Sequence, residues 1–99
     1  PIEGRRSMAL GIYFAVEGMT AEKFAAVHEQ LSSIGQANPP GRTFHAGFHV
    51  GDGIHVFDVW DSEEAFAAFG EHLMPILAQH GIDTAEPRVG EIELIMTPD

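Results

Sequence analysis

Apolar residues alternate with period two from Met8 to Val16, with Met8, Leu10, Ile12, Phe14 and Val16 on one side and Ala9, Gly11, Tyr13 and Ala15 on the other. That period predicts a β-strand, and the near absence of charge predicts burial on both its faces. Thr20 then stands at the N-cap of a helix whose apolar residues Phe24, Val27, Leu31 and Ile34 follow helical spacing, and Gly35 supplies the stop. Asn38-Pro39-Pro40-Gly41 can continue neither element and predicts a loop. A hairpin follows from about Thr43 to Trp60, with Asp52-Gly53 as its turn. Asp61 caps a second helix, with Glu64 in the capping-box position and Ala65, Phe66, Phe69 and Leu73 as the buried stripe. Proline fits a first helical turn and not an interior, so Pro75 predicts a break and a short helix to His80, closed by Gly81. Beyond Pro87, the segment from Arg88 to Met96 alternates as a last strand.

The predicted order is βαββαβ, the ferredoxin-like arrangement of an α+β protein, with an antiparallel sheet and both helices on one face. One face of such a sheet stays open to water, yet the strands do not look half-exposed. A homodimer that closes two sheets into one barrel buries the open faces and leaves space for a cavity between them.

Composition narrows the picture. Ile2-Glu3-Gly4-Arg5 is the recognition sequence of a tag-removal protease and Arg6-Ser7 has the look of a cloning scar, so positions 1–7 read as a tag remnant and 8–99 as one domain. The formal net charge is -10, and -11 without Glu3, Arg5 and Arg6, which leaves Lys23, Arg42 and Arg88 as the fixed cations. So acidic a surface repels phosphate backbones and anionic lipid, and argues against nucleic acid and membrane partners. No apolar run approaches the roughly 20 residues that span a bilayer. The chain has 0 cysteines, which excludes disulfides, thiolate metal sites and a cysteine nucleophile and is compatible with a cytoplasmic location.

Candidate chemistry concentrates in the hairpin. With Asp52-Gly53 as a two-residue turn, His49 pairs with Val56, Gly47 with Asp58 and His45 with Trp60. Ala46, Phe48, Val50, Phe57 and Val59 then make an apolar face suited to the helices, and His45, Gly47, His49, Ile54, Val56, Asp58 and Trp60 look into the barrel. A three-residue loop would instead set His49 opposite His55. In the first register His45 and His49 are diagonal neighbours of Asp58, roughly 7 Å away. A histidine oriented by a carboxylate is a poised general base, so His45, His49 and Asp58 are the candidate catalytic residues. Trp60 offers a flat wall for an aromatic ligand, and Tyr13 lies between small neighbours that leave volume. Structural roles are open to the same residues: Asp58 as partner of a backbone amide or buried histidine, Trp60 as interface core, Tyr13 as a core tyrosine.

The chain has 6 histidines, which raises the question of a metal. His45 and His49 lie ~13 Å apart along a strand, too far to share an ion, and no helical metal-binding motif is present. No metal site is expected except a His49–His55 pair in the alternative register. His28 and His72 read as surface or boundary residues, and His80 as a helix-end residue.

The element order, Phe44-His45 before the turn, the run from Val56 to Phe66 (VFDVWDSEEAF), and Leu73-Met74-Pro75-Ile76-Leu77 with Gly81-Ile82 after it resemble the dimeric α+β barrel superfamily over nearly all of positions 8–97. Its members include cofactor-independent monooxygenases of antibiotic biosynthesis that oxidise polycyclic phenols, polyketide cyclases and small stress-responsive proteins. The resemblance implies a homodimer with a pocket for a small aromatic or polyketide-like molecule and no cofactor. It implies proton abstraction from a phenol or activated carbon, followed by reaction with oxygen or ring closure, and alternatively a non-catalytic binding or stress protein, or an assembly module with an occluded barrel. The family's monooxygenases pair a tryptophan with an asparagine on the cavity strands. Here the residue two before Trp60 is Asp58, which weighs toward acid–base chemistry.

Overall fold

A computed structural model describes residues 9–84, 86–96 and 98, so the tag-like segment and Met8 lie outside it. The elements are β1 (Leu10–Val16), α1 (Ala21–Ser33), β2 (Arg42–Val50), β3 (Gly53–Trp60), α2 (Glu63–Gln79) and β4 (Arg88–Glu91). The strands form one sheet in the order β2-β3-β1-β4 with antiparallel neighbours. This is the expected α+β, ferredoxin-like architecture.

Helix α1 starts where Thr20 Oγ1 accepts from the Lys23 amide at 3.1 Å. It ends in a Schellman pair, Gln36 N–H to Leu31 C=O at 2.8 Å and Gly35 N–H to Ser32 C=O at 3.0 Å. Helix α2 ends the same way, through Ile82 N–H to Leu77 C=O at 2.9 Å and Gly81 N–H to Ala78 C=O at 3.1 Å. Val27 and Leu31 of α1, Phe69, Ile76 and Leu77 of α2, and Ile12 and Trp60 of the sheet form the main core. Each such apolar side chain contributes about 1.5–3 kcal/mol by leaving water. Val16, Met19 and Ile54 make a smaller cluster at the hairpin end.

Four local expectations are corrected. Ser62, not Asp61, caps α2, its Oγ accepting from the Ala65 amide at 3.1 Å, while the Asp61 amide bonds Gly41 C=O at 2.7 Å. Helix α2 runs through Pro75 without a break. Ile76 and Leu77 both reach the core, and Pro75 and Glu71, whose carbonyl loses its helical donor, are exposed, so the lost bond falls on the outer side of the helix. Ile34 is exposed and belongs to the cap of α1 rather than to its buried stripe. Strand β4 has four residues rather than nine, and Leu94, Ile95 and Met96 beyond it are exposed.

The hairpin is corrected in two ways. Its two-residue turn is Gly51-Asp52: Val50 pairs with Gly53, His49 with Ile54, Gly47 with Val56 and His45 with Asp58. Gly51 has φ 59° and no described non-glycine residue, Asp52 included, has positive φ, the sign pattern of a type II′ turn. Gly53 is drawn into the strand because its backbone passes under the end of β1, where a Cβ would stand 2.5 Å from Val16 O. The shift is by two residues, so the face partition survives, but the faces are exchanged. His45, Gly47, Ile54, Val56, Asp58 and Trp60 face the helices, and Phe44, Ala46, Phe48, Val50 and Phe57 form the open face. Size decides this: Trp60 needs the depth between Phe66 and Phe69 of α2, and Gly47 leaves a hollow that the Phe24 ring of α1 fills.

Candidate functional site

Between the sheet and the two helices lies a cavity of about 60 Å³, walled by apolar side chains such as Phe14, Val27, Phe69 and Leu77. Its polar lining consists of His28, Arg42, His45, Asp58 and Thr84. Small-molecule pockets usually measure about 300–1,000 Å³, so this one has room for a few waters as it stands.

The register sets His45 of β2 directly opposite Asp58 of β3, and His45 Nδ1 lies 2.5 Å from Asp58 Oδ1. Asp58 is 3 % exposed, the only buried charged or polar residue among those described. From α1, His28 turns its Nε2 toward His45 Nε2 at 2.8 Å, and its Nδ1 lies 2.8 Å from Phe24 C=O. The result is a continuous line of three hydrogen bonds, from Asp58 through His45 and His28 to the Phe24 carbonyl.

Each link needs one proton, which fixes how many the site holds. The Phe24 carbonyl only accepts, so His28 Nδ1 donates. An ionised Asp58 only accepts, so His45 Nδ1 donates. Two neutral rings so arranged would point Nε2 lone pairs at one another, and the 2.8 Å contact therefore requires a further proton between them. Asp58 balances that charge across the adjoining link. Burial lowers the pKa of His28 below its usual 6.5, and His45 and Arg42 lower it further, whereas the bond to Phe24 and the Asp58 charge act the other way. The Asp58 carboxylate lies against His45 and the Phe24 carbonyl against His28, so the geometry makes His45 the donating ring of the Nε2 link and His28 the accepting one. With that proton the pair is an acid; once it has left, Nε2 of His45 is a base that Asp58 orients.

Arg42 supplies the fixed cation of the cavity. Its Nη2 donates to Ala37 C=O at 2.8 Å and its guanidinium carbon lies 5.7 Å from the Phe69 ring centre. Burial lowers its pKa and the Asp58 charge opposes that shift.

Of the residues singled out from the sequence, the fold brings His45 and Asp58 together and leaves the others elsewhere. His49 is exposed beside Ile54, outside the cavity lining. Tyr13 lies on the open sheet face, with its hydroxyl 2.6 Å from His55 Nδ1 and its ring near Phe48. Trp60 is fully buried between Phe66 and Phe69, outside the cavity lining, with its indole N–H unpartnered among the described residues. His28 and Arg42 were not expected here. Phe24, Val27, His28 and Leu31 follow the i, i+3, i+4, i+7 spacing of one helix face, the signal that places His28 on the buried stripe. Among the described residues no group of three or more His, Cys, Asp or Glu could hold a metal ion, and no helix is long and apolar enough to cross a membrane.

No protein-family model and no curated protein sequence matches the chain. Solved structures do. A candidate antibiotic biosynthesis monooxygenase from Caulobacter crescentus superposes with a TM-score of 0.61 at 18% identity, covering 94% of this chain and 92% of that one. SnoaB, a cofactor-independent oxygenase from Streptomyces nogalater, superposes with a TM-score of 0.58 at 21% identity, covering 96% of this chain and 100% of that one. MupZ from Pseudomonas fluorescens superposes with a TM-score of 0.64 at 10% identity, covering 92% of this chain and 73% of that one. At these identities the likeness is one of architecture. The chain shares the ferredoxin-like α+β fold of these structures.

Proposed function

We propose that this protein is a homodimeric barrel whose protomers each bind a small aromatic or polyketide-like molecule between sheet and helices and act on it by acid–base chemistry. The observation that carries the reading is the His45–Asp58 pair in the wall of an otherwise apolar cavity. His45 is the group that takes or gives a proton at Nε2, Asp58 holds the ring and balances its charge, and Arg42 offers a cation to an oxyanion formed in the reaction. Such a step calls on no cofactor. The fold shared with SnoaB, a cofactor-independent oxygenase, is consistent with this. The uncovered apolar sheet face supports the dimer.

The cavity volume favours a second reading, a non-catalytic stress-response protein or assembly module whose interior is filled by its own side chains, because about 60 Å³ holds no aromatic ring. Asp58→Asn separates the two. Catalysis predicts turnover of a phenolic substrate reduced about 10²–10⁴-fold with substrate affinity retained. Absence of turnover by both the parent protein and the variant across a panel of small phenols and polyketide-like ketones would leave the non-catalytic reading.

A further inference from the structure

In the Asp58–His45–His28 line every ring nitrogen is already engaged: His45 Nδ1 by Asp58, His28 Nδ1 by Phe24 C=O, and the two Nε2 atoms by each other. Neither histidine has a nitrogen left for a ligand, although both line the cavity. The nitrogen that acid–base chemistry requires, Nε2 of His45, is occupied by a residue of the protein itself.

We propose that His28 is a built-in stand-in for the ligand: in the resting state its unprotonated Nε2 accepts the proton that His45 holds, and a ligand engages His45 by displacing it. This inference rests on the assignment of His45 and Asp58 as the functional pair. It also names the chemistry that can do the displacing. The arriving atom must accept a hydrogen bond, so it is an oxyanion, a carbonyl oxygen or an unprotonated ring nitrogen, and a group offering only its proton does not compete. Displacement leaves the proton on His45 Nε2, now donated to the ligand, and returns His28 to the cavity wall as a neutral ring still tied to Phe24.

The surroundings fit this exchange. His28 is faced by His45 and Arg42 of β2 and by Asp58 of β3. Burial first, with His45 and Arg42 behind it, disfavours a proton on His28, and the Arg42 cation favours an anionic newcomer. His28 meets Phe24 in a tilted ring contact, with centres 4.3 Å apart, and meets His45 end to end through the Nε2 atoms, with centres 5.0 Å apart. A turn of its side chain breaks the Nε2 link without unwinding α1. His28 is therefore a positioning residue: it sets when His45 is free to act.

The test reads the proton directly and needs no substrate. In the whole protein labelled with ¹⁵N-histidine, one strongly downfield proton should couple to Nε2 of both His28 and His45 near neutral pH. That signal should vanish in His28→Ala and in His45→Phe. Free imidazole should bind His28→Ala about tenfold or more tightly than it binds the parent protein and should restore the downfield proton, because it replaces the ring that was removed. Two results would overturn the proposal. One is a parent protein in which both Nε2 atoms lack a proton, or carry separate ones, across the pH range of the fold, a measurement that stands even if a variant does not fold. The other is imidazole binding no better to a folded His28→Ala than to the parent. Loss of the catalytic reading through Asp58→Asn would leave the shared-proton signal in the parent untouched, so the two failures are distinguishable.

Discussion

His28 reaches the sheet because Gly47 lets α1 come close. A Cβ at Gly47 would stand 2.5 Å from Phe24 Cζ, and Phe24 is one helical turn before His28 and supplies the carbonyl that holds it. One absent side chain thus sets the depth of the residue that closes the hydrogen-bond line. Burial there has a consequence for acid stability. In the unfolded chain His28 takes up a proton near pH 6.5, and in the folded chain its pKa lies lower. Between those two values the unfolded state binds more protons, so stability rises with pH through that window and is lost as pH falls below 6.5. Urea denaturation of His28→Gln across acidic pH should show a shallower loss than the parent protein. An unchanged slope would mean that His28 titrates as freely in the fold as out of it.

The helices show which local signals can be trusted. Thr20 caps α1 and glycine-terminated Schellman pairs close both helices, because caps are decided by the residues within one turn. The hairpin turn was not legible in that way. Both Asp52-Gly53 and Gly51-Asp52 are acceptable turns locally, and the choice depends on Gly53 passing beneath the Val16 carbonyl, a contact 37 residues away in the chain. Face assignment failed for a related reason: both faces of β2 and β3 are rich in apolar residues, and what sorts them is the volume of Trp60 and the hollow at Gly47. His28, by contrast, could have been placed from its spacing with Phe24, Val27 and Leu31. Pro75 was over-read, since its penalty depends on whether the orphaned carbonyl can reach water. That residual penalty is measurable. Pro75→Ala should raise stability by about 1–3 kcal/mol, seen as a higher denaturation midpoint with an unchanged slope.

Over the whole molecule, the sheet has one face sealed by helices and one that is apolar and uncovered. Phe44 is 53% exposed and Phe48 43%, with Val50 beside them. Aromatic clusters left in water are characteristic of interfaces, and under the proposed homodimer a second copy would meet this face and close the barrel. Phe48→Asp should convert a dimer to a monomer in size-exclusion chromatography with light scattering, while the parent protein stays dimeric at micromolar concentration. A parent that runs as a monomer would remove the barrel. The βαββαβ order, and with it the single helical layer, was legible from hydrophobic period alone. The site was not, because its members come from α1, β2 and β3 and only the assembled layers bring them together. Those layers also enclose an optical reporter. Trp60 is the chain's single tryptophan, sealed between α2 and the sheet with a buried indole N–H that meets no acceptor among the described residues. An indole so isolated emits at short wavelength, so the colour of this protein's fluorescence reads whether α2 is seated, without any label.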